Sequence, residues 1–176
     1  YIQSLKKAYP SVQLRFLTRE EVCKIPVALD LFDKVFVILG GRSSKLQLFY
    51  VLTLLPRLLT QRYGVVVDLQ NHWISRFVRK IINPKAWSEF DRISQRSAGE
   101  RTKLTIEAAG FAGINIQPTF HYRSNIPQAA TQLLNEAGWD GSSWLIGLNP
   151  AGNFSSRNWP VDSYVEWAKM WKTEYP

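Results

Sequence analysis

Strand-like and helix-like segments alternate along this chain, and that alternation constrains its fold more than any other feature. Runs rich in apolar and β-branched residues lie at 12–18, 32–39 and 65–69, and segments with helical periodicity follow each of them. The run at 65–69 is continuous and β-branched, as is typical of an interior parallel strand. The pattern predicts an α/β fold with a mostly parallel sheet and flanking helices.

Sequence signals at their ends predict where the helices lie. Thr18 is a candidate cap for a helix over 19–29, and Ser43 or Ser44 for one that runs to about residue 63 and that Pro56 kinks or splits. Ser97 and Glu100 have the spacing of a capping box. The predicted helices are 19–29, 44–63, 74–82, 97–110, 126–137 and 161–172. Two further strands are predicted at 114–122 and 144–148, the second of them buried.

A small-residue loop at 149–160 follows the predicted strand 144–148 and precedes a helix. Such a loop binds phosphate because glycine lets the backbone approach and a helix start offers unpaired N–H groups. Gly152 and Asn153 are the candidate backbone donors, and Arg157 adds a cation that pairs with phosphate oxygens. The loop predicts a phosphorylated ligand, although it lacks both the Walker spacing and the dinucleotide spacing of glycines.

Polar residues follow the run 65–69, where open parallel sheets bind ligands. Asp68, Gln70, Asn71 and His72 offer carboxylate, amide and imidazole groups for sugar hydroxyls. The alternative interpretation is turn and capping chemistry for Asp68 and Asn71, with His72 simply exposed. A basic face follows, which is either a contact for an anionic acceptor or a solvated surface, and which consists of Arg76, Arg79, Lys80 and Lys85.

Composition narrows the class of partner. The net charge is +8 and the pI is about 9.7, which indicates an acidic partner such as a nucleotide, an anionic glycolipid, a membrane surface or nucleic acid. Cys23 is the only cysteine, so the sequence has no intrachain disulfide and no cysteine metal cluster. The longest uncharged apolar run, at 46–56, is too short to span a bilayer.

Several motifs in this order resemble glycosyltransferase family nine, the family of the ADP-heptose:lipopolysaccharide heptosyltransferases. One is Asp68-Leu69-Gln70, which this family typically continues with glycine where Asn71 stands here. The others are Lys6 to Pro10 before a strand, Phe90-Asp91-Arg92, Glu100-Arg101, and Asn149 to Gly152 followed by Arg157 to Pro160. The resemblance covers nearly the whole chain.

The resemblance implies a GT-B fold, in which two Rossmann-like domains face each other. Residues 1–124 would be the acceptor-side domain without its first strand. Residues 125–176 would be a linker helix and the first strand, loop and helix of the nucleotide-sugar domain. By the same resemblance the chain is expected to be a fragment of a longer enzyme. The general base of that enzyme would precede Tyr1, so the fragment is expected to be inactive alone.

The implied reaction is an inverting, metal-independent transfer of heptose from ADP-heptose to a lipopolysaccharide inner-core acceptor, without a cofactor. Ala151, Gly152, Asn153 and Arg157 would bind the donor diphosphate. Asp68, Gln70, Asn71, His72 and Arg76 would line the acceptor side. The implied location is the cytoplasm, including the inner face of the bacterial inner membrane.

Three alternatives remain open from the sequence. The first is a GT-B glycosyltransferase that uses another nucleotide sugar. The second is a nucleic-acid-binding module, which is disfavoured because most aromatic residues occupy apolar periodic positions. The third is a domain that binds an anionic membrane surface through the helix over 46–59 with Arg57 and Arg62.

Overall fold

The structure is a computed structural model that describes residues 1–116, 123–150 and 158–175. It divides into two compact units, Tyr1–Ala129 and Ala130–Pro176. The assignment of 1–124 and 125–176 to two functional domains stays a prediction. Each unit is described by itself below.

The first unit alternates helices and short strands, as the sequence predicts. Its elements are α1 (Ile2–Ala8), β1 (Arg15–Arg19), a 3-10 helix (Glu20–Val22), α2 (Lys24–Ala28), β2 (Lys34–Ile38), α3 (Ser44–Leu59), β3 (Val65–Asp68), α4 (Trp73–Ile82), β4 (Ala86–Glu89) and α5 (Ala98–Ala108). Helix α6 (Asn125–Glu136) begins in the first unit and continues into the second.

The strands form two parallel pairs. β1 pairs with β2 in a register that runs from Arg15 opposite Lys34 to Arg19 opposite Ile38. β3 pairs with β4, from Val65 opposite Ala86 to the carboxyl ends of both strands. The predicted parallel arrangement is therefore confirmed, but in the described residues it consists of two separate two-stranded sheets. Strand β4 was not predicted.

The core of the first unit joins β2 to the helices α3 and α4. Its buried members are Phe36, Ile38, Val51, Leu58, Ile74 and Val78. Their spacing places the members from each helix on one of its faces. This explains why α4 is amphipathic, whereas α3 has apolar residues on its outer face as well. This packing also explains the course of α3: the helix continues through Pro56 to Leu59, because Val51 and Leu58 anchor it on both sides of the proline. The predicted extension to residue 63 is wrong.

The structure corrects one helix prediction, at 19–29, and confirms the predicted cap of another, α5. The single helix predicted over 19–29 is a 3-10 helix followed by α2. Its Glu20 carboxylate accepts hydrogen bonds from the N–H groups of Gly40 (3.0 Å) and Gly41 (2.6 Å), so that side chain serves the loop after β2 and does not cap its own helix. Ser97 caps α5 as predicted, accepting from the Glu100 N–H at 3.2 Å.

The second unit contains α7 (Val161–Glu174), with a stacked series of aromatic rings on one side. The Trp171 ring lies 5.5 Å from that of Trp167 and 4.3 Å from that of Tyr175. The buried strand predicted at 144–148 is wrong: the segment forms no strand, and Trp144 is 94% exposed. An isolated segment cannot form a strand, because its backbone groups need a hydrogen-bonded neighbour.

The strand predicted at 114–122 falls mostly outside the described residues. Residues 114–116, which are described, have no strand conformation. Residues 117–122 are outside the described part of the chain.

Candidate functional site

The turn that follows β3 is built around a buried carboxylate. Asp68 lies at the carboxyl end of the strand and is 6% exposed. Its Oδ1 accepts hydrogen bonds from the N–H groups of Gln70 (3.1 Å) and Asn71 (2.8 Å), and its Oδ2 accepts from the Ser75 hydroxyl (2.8 Å). The side chain therefore joins the strand, the turn and the first turn of α4.

Asn71 adopts a backbone conformation that few residue types tolerate. Its φ is +48°, in the left-handed region that favours glycine and, after it, asparagine. Its Nδ2 donates to the Phe90 carbonyl at 2.9 Å, whereas its Oδ1 is buried and has no partner among the described residues. Glycine, which the motif resemblance predicts at this position, would also tolerate this φ value.

His72 is the N-cap of α4. Its Nδ1 accepts from the Ile74 N–H at 3.4 Å, and its own N–H donates to the Ser75 hydroxyl oxygen at 2.9 Å. Because Nδ1 acts as an acceptor, a neutral imidazole here carries its proton on Nε2. His72 is therefore a capping residue with a half-buried ring that borders the turn, and the alternative that it is simply exposed is wrong.

Gln70 and Arg76 differ from the other predicted acceptor-side residues. Both are exposed, and in the described part of the chain neither side chain makes a hydrogen bond or an ion pair. Asp68, Asn71 and His72 thus hold the turn in place, while Gln70 and Arg76 have polar groups available for a ligand.

The loop after β4 lies beside this turn. The link is the hydrogen bond from Asn71 to the Phe90 carbonyl. Asp91 Oδ1 accepts from the N–H groups of Ile93 (2.9 Å) and Ser94 (3.1 Å), and these two bonds hold the pKa of the Asp91 carboxyl below its usual range. Arg101 donates to the Asp91 carbonyl at 3.2 Å and stacks its guanidinium 4.8 Å from the centre of the Phe90 ring.

Asp91 is consequently a turn residue. In the residues that the structure describes, it forms no ion pair with Arg92. The sequence did not predict two contacts of this site, the one between Ser75 and Asp68 and the one between Asn71 and the Phe90 carbonyl. The hydroxyl at the third position after His72 was a signal for Ser75. Phe90 contributes a backbone carbonyl, which no side-chain pattern reveals.

Arg79 does not belong to the basic face that the sequence suggests for α4. It is 8% exposed, and its guanidinium lies 2.9 Å from the Glu89 carboxylate and 3.6 Å from the centre of the Trp87 ring. The side chain fastens α4 to β4. The exposed cations of this basic face are therefore Arg76 and Lys80 on the helix and Lys85 before β4.

The predicted donor-side residues Ala151, Gly152, Asn153 and Arg157 lie outside the described residues. On the described flanks of that loop, the Tyr164 hydroxyl donates to the Asn149 carbonyl at 3.4 Å, and α7 begins at Val161. Within the described ranges, no group of three or more His, Cys, Asp or Glu side chains is arranged to bind a metal ion. No helix in those ranges is both long and apolar enough to cross a membrane.

The chain is similar to a solved structure. The match is to the crystal structure of the glycosyl transferase family 9 from Veillonella parvula DSM 2008, with a TM-score of 0.77 and 13% sequence identity, over 97% of this chain. The chain has the fold of a family 9 glycosyl transferase. It spans about half of that protein, 54% of its chain. No protein-family model matches the sequence, and no curated protein matches it significantly.

The match confirms the fold that the motif resemblance implied. At 13% identity the likeness is one of backbone architecture, so it transfers no residue role. The geometry of the turn after β3 is independent of that likeness, because it follows from this chain's own hydrogen bonds.

Proposed function

We propose that this chain is part of an inverting glycosyltransferase that moves a heptose from ADP-heptose to a lipopolysaccharide inner-core acceptor, without a metal ion or cofactor. In this proposal residues 1–124 form the acceptor side and residues 125–176 contribute to the nucleotide-sugar side. The enzyme works in the cytoplasm, at the inner face of the bacterial inner membrane.

The observation that carries the proposal is the turn at Asn71. In the resembling family, Asp-Leu-Gln is followed by glycine, and here the corresponding residue has a φ of +48°. A left-handed residue directly after this tripeptide is a conformational requirement that glycine meets best and asparagine meets next. The proposal is therefore supported by the left-handed backbone of Asn71, which agrees with the motif, and by the similarity of the fold to a family 9 structure.

The site residues divide into positioning and contact groups. Asp68, Asn71 and His72 position the turn through the hydrogen bonds described above. Gln70 would bind sugar hydroxyls, since its amide both donates and accepts. Arg76 would pair with a carboxylate or phosphate of the anionic acceptor, and its exposure leaves the guanidinium accessible.

On the donor side, Ala151, Gly152 and Asn153 would direct backbone N–H groups at the diphosphate, and Arg157 would offset its charge as it departs. Such preorganised donors stabilise the transition state because negative charge increases on the leaving group as the glycosidic bond breaks. An inverting transfer also needs a general base for the acceptor hydroxyl. The proposal assigns that base to no residue of this chain.

Isotope transfer in the full-length enzyme tests the proposal. Radiolabelled ADP-heptose, UDP-glucose and GDP-mannose are each incubated with a lipopolysaccharide acceptor that lacks its heptose region. We expect label from ADP-heptose alone in the glycolipid product. Transfer from another nucleotide sugar would support the first alternative, and no transfer from ADP-heptose would refute the proposed reaction.

A variant pair assigns the acceptor side. We expect Arg76→Ala to raise the KM for the acceptor about 10-fold, as for the loss of one charge-assisted hydrogen bond, and to leave the KM for the donor unchanged. Lys80→Ala on the same helix is the matched control, because it removes an equally exposed cation farther from the turn. Equal effects of the two variants would show a general charge effect instead of a site.

The outer face of α3 favours an additional membrane contact by the same enzyme. Leu46 (52% exposed), Phe49 (59%) and Leu52 (48%) recur every third residue, and the cations Lys45 and Arg57 lie on the same helix. Apolar groups flanked by cations are suited to the surface of an anionic bilayer.

Vesicle flotation tests this contact. We expect the chain to float with vesicles that contain phosphatidylglycerol and to remain in the pellet with pure phosphatidylcholine. Phe49→Ser should reduce flotation, whereas Ile93→Ser should not, although Ile93 is 92% exposed and equally apolar. Equal loss in both variants would point to non-specific adsorption.

A further inference from the structure

Trp73 is a large aromatic side chain on the polar side of α4. It is the first residue of the helix and is 47% exposed, whereas the core residues Ile74 and Val78 are each 4% exposed. A tryptophan that stays partly in water loses some of the free energy that its burial would contribute. The amphipathic pattern of α4 therefore explains its apolar face but does not explain Trp73.

The exposed side of α4 places Trp73 beside Arg76. Both residues are exposed, and side chains three residues apart in a helix are neighbours, with Cβ atoms about 5–6 Å apart. Gln70, which is exposed as well, lies in the turn that leads into the helix. The surface next to the turn thus combines an aromatic ring with an amide and a guanidinium.

One side of the Trp73 ring is supported and its face is open. Among the described residues its ring neighbour is His72, whose ring centre is 5.8 Å away and whose plane is tilted by 44°. His72 is itself fixed as the N-cap of the helix. In the described part of the chain no cation covers the Trp73 ring, in contrast to the Trp87 ring, which has Arg79 at 3.6 Å from its centre. The indole face is therefore accessible to a ligand.

This combination of groups matches a carbohydrate. A sugar ring has C–H groups on its faces and hydroxyls around its edge, so it packs on an aromatic face while polar side chains bind its edge. A purely apolar ligand would leave the amide and the guanidinium unpaired. A small inorganic anion would make no use of the indole.

We propose that Trp73 is a contact residue for the acceptor, in which the indole stacks on a sugar ring of the acceptor beside the anionic group that Arg76 binds. This inference rests on the proposed function and adds a specificity element to it, because stacking selects a sugar ring over an anionic group alone. A bilayer surface is the other setting in which tryptophan and cations lie together. The position of Trp73 directly after the polar turn favours the sugar.

Binding of a water-soluble acceptor tests this role. The full-length enzyme is titrated in a calorimeter with deacylated lipopolysaccharide that lacks its heptose region. We expect Trp73→Ala to raise the Kd for this acceptor about 10-fold, as for the loss of one favourable aromatic contact, and to leave the KM for the donor unchanged. Trp73→Phe should stay within about threefold of the parent because it keeps a flat ring, whereas Trp73→Leu should resemble the alanine variant.

Tyr9→Ala is the matched control. Tyr9 is 43% exposed and also has one aromatic neighbour at 5.8 Å, the ring of Phe111, but it lies before the amino end of β1. We expect its replacement to leave the acceptor Kd unchanged. An equal loss of affinity in the tyrosine and tryptophan variants would overturn the specific role of Trp73.

The indole N–H signal gives a readout that does not depend on affinity or on the folding of an alanine variant. In NMR spectra of the enzyme with isotope-labelled tryptophan, the signal that is absent from Trp73→Phe belongs to Trp73. We expect this signal to shift during titration with the deacylated acceptor. A signal that stays in place while the acceptor binds would refute the stacking contact.

The outcomes separate this inference from the proposed function. If Arg76→Ala weakens acceptor binding and Trp73→Ala does not, the acceptor site stands and the role of Trp73 is overturned. If the parent enzyme does not bind the acceptor, the proposed function fails and this inference fails with it. If Trp73→Ala reduces flotation with phosphatidylglycerol vesicles but not binding of the deacylated acceptor, Trp73 is a bilayer contact and the sugar contact is refuted.

Discussion

Replacement of Asn71 separates backbone conformation from side-chain chemistry at the centre of the candidate site. Asn71→Ala removes the hydrogen bond to the Phe90 carbonyl and forces alanine into a φ of +48°. The lost bond costs about 1 kcal/mol. The left-handed conformation costs a non-glycine residue about 1–2 kcal/mol, part of which asparagine avoids. We expect Asn71→Ala to lower the free energy of unfolding by about 2 kcal/mol.

Asn71→Gly is the matched variant, because it loses the same hydrogen bond but has no steric penalty at this φ. It also removes the buried Oδ1 that has no partner among the described residues, and an unpaired buried polar atom is itself unfavourable. The greater entropy of glycine in the unfolded chain opposes these gains by about 0.4–1 kcal/mol. We therefore expect the free energy of unfolding of Asn71→Gly to lie within about 1 kcal/mol of the parent and about 1 kcal/mol above that of Asn71→Ala.

Urea unfolding followed by circular dichroism measures both differences. An alanine variant as stable as the glycine variant would show that the left-handed conformation is not required at this position. That result would refute the argument that connects this turn to the glycine of the resembling motif, because the argument depends on conformation alone.

Three further predictions concern other parts of the chain. Arg79→Ala should lower the free energy of unfolding by about 2–3 kcal/mol, since it removes a buried guanidinium stacked on Trp87; Arg79→Lys should recover only part of the loss in the same urea assay. The Leu14 N–H is the main cause that holds the pKa of the Asp33 carboxyl below its ordinary value of 3.8. The ionised carboxylate therefore stabilises the folded chain above that pH, and this contribution is lost as the pH falls through the lowered pKa. Asp33→Asn should be less stable than the parent in urea unfolding at pH 7, and the two should converge in acid. In steady-state assays of the full-length enzyme, Arg157→Ala should lower kcat by about 10- to 1000-fold, and unchanged kinetics would remove Arg157 from the donor site.

Local signals in the sequence predicted the elements whose structure depends on local interactions. Ser97 caps α5 through a hydrogen bond three residues away, and the apolar periodicity of α4 matches its buried face. Strand β2 was predicted from its apolar run, although its pairing partner β1 lies nineteen residues earlier in the chain. For the cap and the helix, the signal that predicts the element lies within the element itself.

Elements that depend on distant partners were missed or misassigned. In strand β4 only Ser88 is buried, so its sequence has no apolar alternation, and its conformation comes from pairing with β3. Residues 144–148 have the apolar composition of a strand, but the described part of the structure provides no neighbour for them. Arg79 was predicted to lie on an exposed basic face, because its partners, Trp87 and Glu89, belong to that unpredicted strand.

The candidate site was predicted as a location more accurately than as a set of roles. The polar residues after β3 do lie together at the end of that strand, as expected for a parallel sheet. Their roles could not be predicted, because the sequence does not show whether an aspartate is buried and accepts hydrogen bonds from its own chain or is exposed and binds sugar. Asp68 positions the turn and Gln70 is available to a ligand because Asp68 is buried and Gln70 is exposed. The burial of Asp68 depends on how α4 packs across the turn.

The backbone of this chain is similar to the family 9 structure, with a TM-score of 0.77, although only 13% of the residues are identical. Apolar pattern and a few backbone requirements specify the architecture, and many sequences satisfy them. Asn71 illustrates the second kind of constraint: asparagine is not chemically equivalent to glycine, but both tolerate the left-handed φ of +48° found here. Positions of this kind preserve a family's geometry after its sequence identity is lost, so they are the positions at which a distant relationship is best tested by substitution.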